Sequence, residues 1–301
     1  MNSTIKNNCA YQLLRKLYFR VVLRTPKRIC SYCYKKVLGE ELNWKSPKTL
    51  NEKINWLKFN SDTSSWSRLA DKYLVRNYLE EKGFGHLLVP IYGKWEKAED
   101  IDFSTLPDKF VLKTNHGSGE VIIVKDKSKI NEAEIRSKIK EYMSYTYGYY
   151  QGEPHYMKIK RCIIAEALLE EKENTFSTSL VDYKVWCFHG KPYCVWACYS
   201  RSAECTYVGS YDLDWNYHPE HSIFTDHYRD GGPCVIKPKT FDEMMVAAAK
   251  LSEGYPEVRI DFYDVDGKLY FGEMTFTSAG GFMPFYTKEY QLEMGNQIKL
   301  K

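Results

Sequence analysis

Two strand-like runs joined by a short turn, Val258 to Val265 and Lys268 to Phe276, constrain this chain more than any other feature. Apolar and polar side chains alternate along both runs, as in a β-hairpin with one apolar and one polar face. Asp261 and Glu273 lie twelve positions apart on the polar residues of this pattern. Carboxylate oxygens are ligands that Mg²⁺ prefers in proteins. We therefore predict a metal-binding hairpin.

The length of the turn decides whether Asp261 and Glu273 share an ion, because a one-residue change of register moves a side chain to the opposite face. A two-residue loop, 266–267, separates the carboxylates. A three-residue loop, 265–267, sets Glu273 opposite Arg259 and leaves Asp261 diagonal to Glu273, about 7–8 Å away at Cα. A metal site requires the second arrangement. The alternative interpretation is a solvated hairpin face with an Arg259–Glu273 ion pair.

Length and composition define the broad class. The 301 residues suffice for one large domain or two to three subdomains. With 43 Lys+Arg and 39 Asp+Glu the net charge is only +4, so we expect no nucleic-acid partner. Nine scattered cysteines do not form a secreted disulfide framework, and Cys30-x-x-Cys33 has no second pair at zinc-site spacing. We expect reduced thiols and a cytoplasmic protein.

The N-terminal segment is strongly basic. The first 36 residues hold nine Lys or Arg and no Asp or Glu, and apolar residues recur there at near-helical spacing: Leu13, Leu14, Leu17, Tyr18, Val21 and Val22. We predict a helix that packs its apolar side on the core. The alternative is a helix that rests on an anionic membrane and places the protein at its inner face. No apolar run reaches the roughly 18–20 residues of a membrane span, and a signal-peptide core is absent.

Two helices are predicted before the first strand. Within Trp44 to Phe59, Thr49 is the expected N-cap and Glu52, three residues later, completes a capping box. A second helix is predicted to open at Asp71-Lys72-Tyr73 and to end near Gly83.

A glycine-rich loop, Thr114 to Gly119, lies between two short apolar strands, Phe110 to Lys113 and Val121 to Val124. Such a loop lets backbone N–H groups approach phosphate oxygens, and Lys113 adds a positive charge at the strand end. The loop is not a P-loop, because GxxxxGK[ST] is absent and a strand follows it. Ordinary hairpin turns share this composition, so the loop alone leaves both interpretations open.

The remaining segments predict mostly strands. Arg161 to Leu169 reads as a buried strand, and 184–197 reads as two strands about a His189-Gly190 turn. Asp182 and Lys184 have a spacing of two, which places them on one strand face. The run from Phe241 to Ser252 predicts a helix that leads back to the hairpin.

In this order the features resemble the ATP-grasp superfamily. The likeness is closer still to the TupA-like ATP-grasp proteins of bacterial surface-polymer and teichuronopeptide biosynthesis, over roughly residues 44–290 and through the strings TLNEKINWLK, LADKYLVRNYL, FVLKTNHGSG, RCIIAEALL, DYKVWCFHGKP and VRIDFYDVDGKLYFGEMTF. The resemblance implies an α+β ATP-grasp fold in which two α+β subdomains grip ATP. The expected divisions are a basic helical segment at 1–43, a preceding subdomain at 44–107, a lid with the glycine-rich loop at 108–165 and a C-terminal subdomain with the magnesium hairpin at 166–301.

The resemblance also implies roles for single residues. Lys72 and Lys113 match two lysines that contact the phosphates of ATP. Gly117, Ser118 and Gly119 match a mobile loop that covers these phosphates. Glu166, Ala167 and Leu168 match a hinge whose backbone hydrogen-bonds adenine. Asp261 and Glu273 match the Mg²⁺ ligands. Many relatives have Asn two residues after the second acid, where this chain has Thr275, whose hydroxyl still suits a hydrated Mg²⁺, so one or two ions are expected. Lys184 and Arg259 face the transferred phosphoryl group.

The implied activity is ATP-dependent ligation of a carboxylate to an amine through an acyl phosphate, in capsular or cell-surface polysaccharide biosynthesis. The partners would be a small or polymer-linked carboxylate, an amine and other proteins of that biosynthesis. His116 is either a proton relay or a loop histidine bonded to backbone. One alternative function is a metal-dependent glycosyltransferase that uses Asp212 and Asp214 as a DxD site, and another is a non-catalytic nucleotide-binding module.

Overall fold

The computed structural model of the protein describes residues 9–172 and 177–300. Its α-helices are α1 (Cys9–Tyr18), α2 (Pro26–Leu38), α3 (Leu50–Asn60), α4 (Trp66–Leu69), α5 (Val75–Glu81), α6 (Glu132–Ser144), α7 (Pro154–Met157), α8 (Phe241–Leu251) and α9 (Lys288–Gln297). Its strands are β1 (Ile91–Trp95), β2 (Phe110–Thr114), β3 (Val121–Val124), β4 (Ile163–Ala167), β5 (Asp182–Phe188), β6 (Lys191–Tyr199), β7 (Thr206–Tyr211), β8 (Tyr228–Asp230), β9 (Val258–Val265) and β10 (Lys268–Thr275).

The strands form two sheets, and the predicted strands are confirmed. The first sheet has the order β1-β4-β2-β3 and the second has the order β10-β9-β5-β6-β7-β8. Neighbouring strands run antiparallel except β7 and β8, which are parallel. Strand β1 joins the first sheet from the range 44–107, so this sheet extends beyond the predicted lid range 108–165. The division into subdomains itself stays a prediction.

Each sheet packs against its own helices. Ile135 and Ile139 of α6 pack on the first sheet, in a core with Phe110 and Leu112 of β2. The second sheet has a larger core, which takes apolar side chains from α3, α8 and α9. Because each sheet buries its apolar side separately, the polar residues between the sheets are free to face a common cleft.

The two predicted helices near the N-terminus form, with one shift. The capping box of α3 is confirmed: the Glu52 N–H donates to Thr49 Oγ1 at 3.2 Å, and the Thr49 N–H donates to Glu52 Oε2 at 2.9 Å. The second helix begins at Val75 rather than at residue 71. Before it, Asp71 Oδ1 accepts the N–H groups of Tyr73 and Leu74 at 2.8 and 3.1 Å, so a capped turn precedes α5.

The turn of the β9–β10 hairpin differs from the three-residue loop that a metal site required. Val265 pairs with Lys268, which leaves a two-residue loop of Asp266 and Gly267. Both have positive φ, at 53° and 79°, as a type I′ turn requires. That loop alone would separate Asp261 from Glu273.

A β-bulge restores the missing register. The pairing shifts at Gly272, between Phe271 and Glu273, so that Glu273 lies directly opposite Asp261 rather than diagonal to it, and Thr275 rather than Glu273 lies opposite Arg259. A Cβ on Gly272 would lie 2.9 Å from the Asp261 carbonyl oxygen. The bulge therefore depends on glycine. This bulge, rather than the predicted three-residue loop, brings the two carboxylates close together.

The N-terminal helix does not pack as predicted. Leu13, Leu14, Leu17, Tyr18, Val21 and Val22 are all exposed, so the expectation that they pack on the core is wrong. Phe19 and Leu23, in a π-helical turn after α1, are buried instead. None of the helices in the described part of the chain is both long and apolar enough to cross a bilayer.

Replacing Gly272 by Ala should lower the free energy of unfolding by about 1–3 kcal/mol, because the added Cβ meets backbone that cannot move without breaking the ladder. Urea denaturation measures the change. The matched control is Gly267→Asn in the same hairpin, where no heavy atom lies nearer than 3.6 Å to the added Cβ and Asn tolerates a positive φ. An equal loss in both variants would contradict the special role of Gly272.

Candidate functional site

A cleft of about 1050 Å³ lies between the two sheets. Its volume matches the upper range of small-molecule sites. The predicted site residues line this one cleft without exception: Lys72, Lys113, Gly117, Ser118, Gly119, Glu166, Ala167, Leu168, Lys184, Arg259, Asp261, Glu273 and Thr275. They come from segments that extend from residue 72 to residue 275 of the sequence, and the fold brings them together. The roles assigned to them stay predictions.

The carboxylates of the hairpin form one wall. Asp261 is buried, and the Glu273 side chain is 35% exposed toward the cleft. The Thr275 hydroxyl lies 3.3 Å from Glu273 Oε1, so three oxygen-bearing side chains are contiguous. The Arg259–Glu273 ion pair of the alternative interpretation is present at 3.3 Å, but the Arg259 side chain is only 11% exposed, so the face is not a solvated one.

Two cations hold the Asp261 carboxylate. Arg259 Nε lies 2.7 Å from Asp261 Oδ1, and Lys184 Nζ lies 2.5 Å from Asp261 Oδ2 and 2.6 Å from Asp182 Oδ2. Burial alone would raise the pKa of Asp261, but the charges of Arg259 and Lys184 outweigh it and lower that pKa to about 2. Asp261 is therefore ionised at every physiological pH.

Arg201 extends this network, and sequence reasoning missed it. Its Nη2 lies 2.5 Å from Asp182 Oδ2, and its side chain, 42% exposed, lines the cleft. Arg201 follows β6 just after Ser200, whose φ is 45°. Nothing in the local sequence distinguishes this arginine from a surface one, because only the turn directs it toward the cleft.

Tyr147 and Tyr156 were missed for the same reason. Both line the cleft, and burial raises the pKa of each phenol, so both stay neutral. Both precede β4 in irregular or short helical structure, where residue spacing does not predict which side chains point inward.

The other wall carries the lysines and the glycine-rich loop. Lys113 forms an ion pair with Glu166 across the first sheet. Lys72 donates to the Gly117 carbonyl and lies 3.7 Å from Glu273 Oε2. Lys72 thus contacts both the loop and a hairpin carboxylate.

Asn115, which the sequence did not single out, fixes the base of this loop. Its Nδ2 donates to Asp71 Oδ2 at 2.8 Å, and its Oδ1 accepts the Cys162 N–H at 2.7 Å. Its carbonyl accepts the Lys72 N–H at 3.1 Å. Asn115 therefore ties the Asp71 turn, which carries Lys72, to the first sheet.

His116 is buried, and its Nε2 lies 3.2 Å from the Tyr145 carbonyl. Burial lowers the pKa of the imidazole. His116 does not line the cleft, so the interpretation as a loop histidine bonded to backbone is confirmed.

The predicted hinge lies at the end of β4. The Ala167 N–H donates to the Pro90 carbonyl at 2.9 Å, so it is occupied within the protein. The hinge groups that are left for the predicted hydrogen bonds to adenine are therefore the Ala167 carbonyl and the backbone of Leu168. Residues 173–176, which follow the hinge, lie outside the described part of the chain.

The loop after the hairpin, residues 277–281, closes one end of the cleft. The Thr277 hydroxyl donates to Glu153 Oε1 at 2.5 Å, and Lys58 Nζ donates to the Gly280 carbonyl at 2.6 Å. Glu153 is buried, and burial raises its pKa. Ala279 has a φ of 47°. Buried polar groups from distant segments thus hold this loop in a conformation that its own residues do not favour.

The DxD-like pair lies outside the cleft. Asp212 Oδ1 accepts the Asn216 N–H at 2.8 Å, which makes it a turn-forming residue. Neither Asp212 nor Asp214 lines the cleft. In the same region His218, Glu220 and His221 place one ligand atom each within 4.8 Å of one another. These histidines are engaged in hydrogen bonds: His218 Nδ1 lies 2.7 Å from Glu220 Oε1, and His221 Nδ1 lies 3.2 Å from Ser210 Oγ.

The thiols of Cys30 and Cys33 face backbone. Cys30 Sγ lies 3.5 Å from the Gln151 and Gly152 carbonyls, and Cys33 Sγ lies 3.2 Å from the Tyr150 carbonyl. The CxxC pair therefore joins α2 to the turn at 150–152.

The fold and the cleft together define an ATP-grasp enzyme, an ATP-dependent ligase by class. A family model described as TupA-like ATPgrasp matches residues 52–299. The chain therefore belongs to the TupA-like ATP-grasp family, and the resemblance and the α+β ATP-grasp fold expected from the sequence are confirmed. No curated protein matches this chain.

Solved structures of ligases are similar to this chain at low identity. The D-alanine–D-alanine ligase of Bacillus anthracis complexed with ATP is 14% identical, with 86% of this chain and 74% of that chain covered and a TM-score of 0.44. The Helicobacter pylori enzyme is 12% identical, with coverages of 84% and 68% and a TM-score of 0.46. The N5-carboxyaminoimidazole synthetase of Staphylococcus aureus complexed with ADP is 14% identical, with 76% and 52% covered and a TM-score of 0.39. At this level the family assignment rests on the family model.

Replacing Asp261 by Asn should lower the free energy of unfolding at pH 7 by about 3 kcal/mol, because Lys184 and Arg259 lose a buried partner. A carboxyl whose pKa falls from 3.8 to about 2 on folding stabilises the protein above about pH 4, and this contribution disappears as the pH falls toward 2. The difference between wild type and variant should therefore be constant from about pH 5 to 8 and shrink below about pH 4.

Urea denaturation in EDTA measures this difference across pH. The control is Asp266→Asn at the exposed turn, which should stay close to wild type at every pH. A loss for Asp261→Asn that did not shrink in acid would contradict the ion-pair interpretation.

Proposed function

We propose that this protein ligates a carboxylate to an amine at the expense of ATP, through an acyl phosphate. One observation carries the proposal: Lys113 of the first sheet and Lys72 of the turn before α5 lie in the same cleft as the carboxylates of the second sheet, with Lys72 Nζ only 3.7 Å from Glu273 Oε2. That arrangement places positive groups where phosphates would lie and oxygen ligands where their metal would lie.

ATP would lie with its adenine against the Ala167–Leu168 backbone and its phosphates toward the hairpin. Lys113 and Lys72 would neutralise phosphate charge, and the backbone N–H groups of residues 117–119 would approach the phosphate oxygens. The ion pairs that these lysines make with Glu166 and Glu273 keep them in position before the nucleotide binds.

The hairpin fits Mg²⁺ by the chemistry of its ligands. Asp261 and Glu273 offer carboxylate oxygens from directly opposite positions of the ladder, and Thr275 offers a hydroxyl beside them. Mg²⁺ prefers such oxygen ligands and keeps several waters. We propose that these three residues hold one or two Mg²⁺ ions. When bound, the metal would neutralise the charge of the β- and γ-phosphates.

The chemistry follows from the poor electrophilicity of a carboxylate. A carboxylate oxygen of the substrate would attack the γ-phosphorus of ATP, and the bond to ADP would break. The nitrogen of the amine would then attack the acyl carbon, inorganic phosphate would leave with the electrons of its C–O bond, and the nitrogen would lose a proton. Arg259 and Lys184 would stabilise the negative charge of the transferred group, so the protein acts by positioning and electrostatics.

The substrate class follows the family. We propose a small or polymer-linked carboxylate in capsular or cell-surface polysaccharide biosynthesis, with other proteins of that biosynthesis as partners. A supply of ATP implies a cytoplasmic location. The structure gives no support to the glycosyltransferase alternative, because Asp212 lies in a turn outside the cleft. Measurement of ADP release in the presence of a carboxylate distinguishes the proposal from the alternative of a non-catalytic nucleotide-binding module.

ATP with Mg²⁺ should stabilise the wild type against heat, since a ligand at about 100 times its dissociation constant adds about 2.7 kcal/mol. Lys113→Ala and Glu273→Gln should each abolish most of that shift, the first by losing a phosphate contact and the second by losing a metal ligand. Lys129→Ala, an exposed lysine near the same sheet, should keep it. Differential scanning fluorimetry gives the result. An unchanged shift in Glu273→Gln would contradict the proposed metal site.

Turnover should release ADP and inorganic phosphate only when a carboxylate substrate is present. Hydroxylamine should trap the acyl phosphate as a hydroxamate, which a colorimetric iron assay detects. The Asp212→Ala, Asp214→Ala double variant should turn over like wild type. Release of AMP and pyrophosphate would contradict the proposed mechanism, and ATP binding without turnover on any carboxylate would favour the non-catalytic module.

A further inference from the structure

The segment 13–28, from α1 into α2, presents an apolar surface to solvent. Six large side chains are exposed there, in order of exposure Leu13 68%, Leu14 66%, Leu17 56%, Val22 51%, Val21 46% and Tyr18 40%. Their spacing of one, three or four residues places them on one side of the helix. Isolated exposed apolar residues need no explanation, but a contiguous group of this size marks an interaction surface.

Basic side chains border this apolar surface. Five of them are exposed: Lys16, Arg20, Arg24, Lys27 and Arg28. No acid precedes Glu40 in the sequence, and within the described residues none of the five lies in an ion pair with a carboxylate. The surface therefore combines exposed apolar groups with uncompensated positive charge.

The segment is fixed to the body of the protein. Phe19 is buried and packs edge-on against Tyr150 with ring centroids 4.9 Å apart, and it also contacts Tyr32 at 5.9 Å. Leu23 and Ile29 are buried in the same cluster. Because these buried residues anchor the segment, the six exposed apolar side chains are held toward solvent and cannot fold back on the core.

We propose that residues 13–28 dock the protein on an anionic membrane surface. The apolar side chains would enter the boundary between headgroups and acyl chains, and the five basic residues would contact anionic headgroups. A second copy of the chain fits this surface poorly, because a two-fold interface would bring ten uncompensated positive charges together. Anionic lipid supplies both the apolar phase and the opposite charge.

The docking segment is connected to one end of the cleft. Cys30 and Cys33 of α2 contact the carbonyls of residues 150–152, as described above. Lys58 Nζ in turn lies 3.5 Å from the Gln151 carbonyl and 2.6 Å from the Gly280 carbonyl, so this turn adjoins the loop at 277–281. If the proposed ligase function holds, on which this step rests, docking would bring the end of the cleft at residues 277–281 to a carboxylate carried by a lipid.

Vesicle co-sedimentation tests the docking without any substrate. The wild type should pellet with vesicles of phosphatidylcholine and phosphatidylglycerol, but not with vesicles of phosphatidylcholine alone. Binding should fall steeply at about 1 M salt, where the Debye length is about 3 Å. The Leu17→Asp, Val21→Asp double variant should bind at least about tenfold more weakly, because two charges replace inserted apolar groups. The Lys27→Ser, Arg28→Ser variant should lose roughly fivefold per residue.

The control is Ile236→Asp with Val246→Asp, two apolar side chains elsewhere on the surface that are more exposed than Leu17 and Val21, at 77% and 63%. This variant should bind vesicles like wild type, and all variants should keep the thermal shift with ATP, which shows that they are folded. Failure of the wild type to pellet with anionic vesicles would overturn the proposal, whatever the ligase assay shows. So would equal loss in the control, or a dimer in light scattering that Leu17→Asp, Val21→Asp converts to a monomer.

Discussion

The buried ion network around Asp261 is the interaction on which the rest of the site depends. Removing a carboxylate and an ammonium from water costs several kcal/mol for each ion, and only close partners with good geometry offset that cost. Here Lys184 lies between Asp182 and Asp261, and Arg259 contacts Asp261 from the same strand. Each cation holds a carboxylate in place, so the network keeps β5 and β9 in register and keeps both cations charged inside a nucleotide-sized cleft.

The network also sets the conditions for metal and phosphate to enter. Asp261 is ionised but fully engaged, whereas Glu273 is partly exposed and touches Lys72 from the opposite wall. A bound Mg²⁺ would compete with Arg259 and Lys184 for the carboxylates, and an incoming phosphate would take up the cations that are released. The protein's own charges are already buried, so this exchange of partners adds no new desolvation cost for them. The proposed chemistry and the observed ion pairs are therefore compatible states of one site.

The cleft remains open because the two sheets pack on different helices. The first sheet is covered by α6 and the second by α3, α8 and α9, so the two sheets belong to separate apolar cores. Polar contacts connect the walls instead: Lys72 reaches from the loop side to Glu273, and Glu153 and Lys58 hold the loop at 277–281. Polar contacts of this kind can be exchanged for contacts with a ligand more readily than apolar packing can.

The residues that the family resemblance implies for the cleft all line it. The sequence by itself determined strands β2 to β6, β9 and β10 and the α3 capping box, but not β1, β7 or β8, because alternation, caps and glycine-rich turns act over a few neighbouring residues. It could not determine the hairpin register, since the bulge at Gly272 depends on contact with the Asp261 carbonyl across the ladder. Arg201, Asn115 and the exposed side of α1 were likewise decided by tertiary structure. Which partner a charge finds, and which apolar face stays uncovered, depends on segments that meet only in the folded chain.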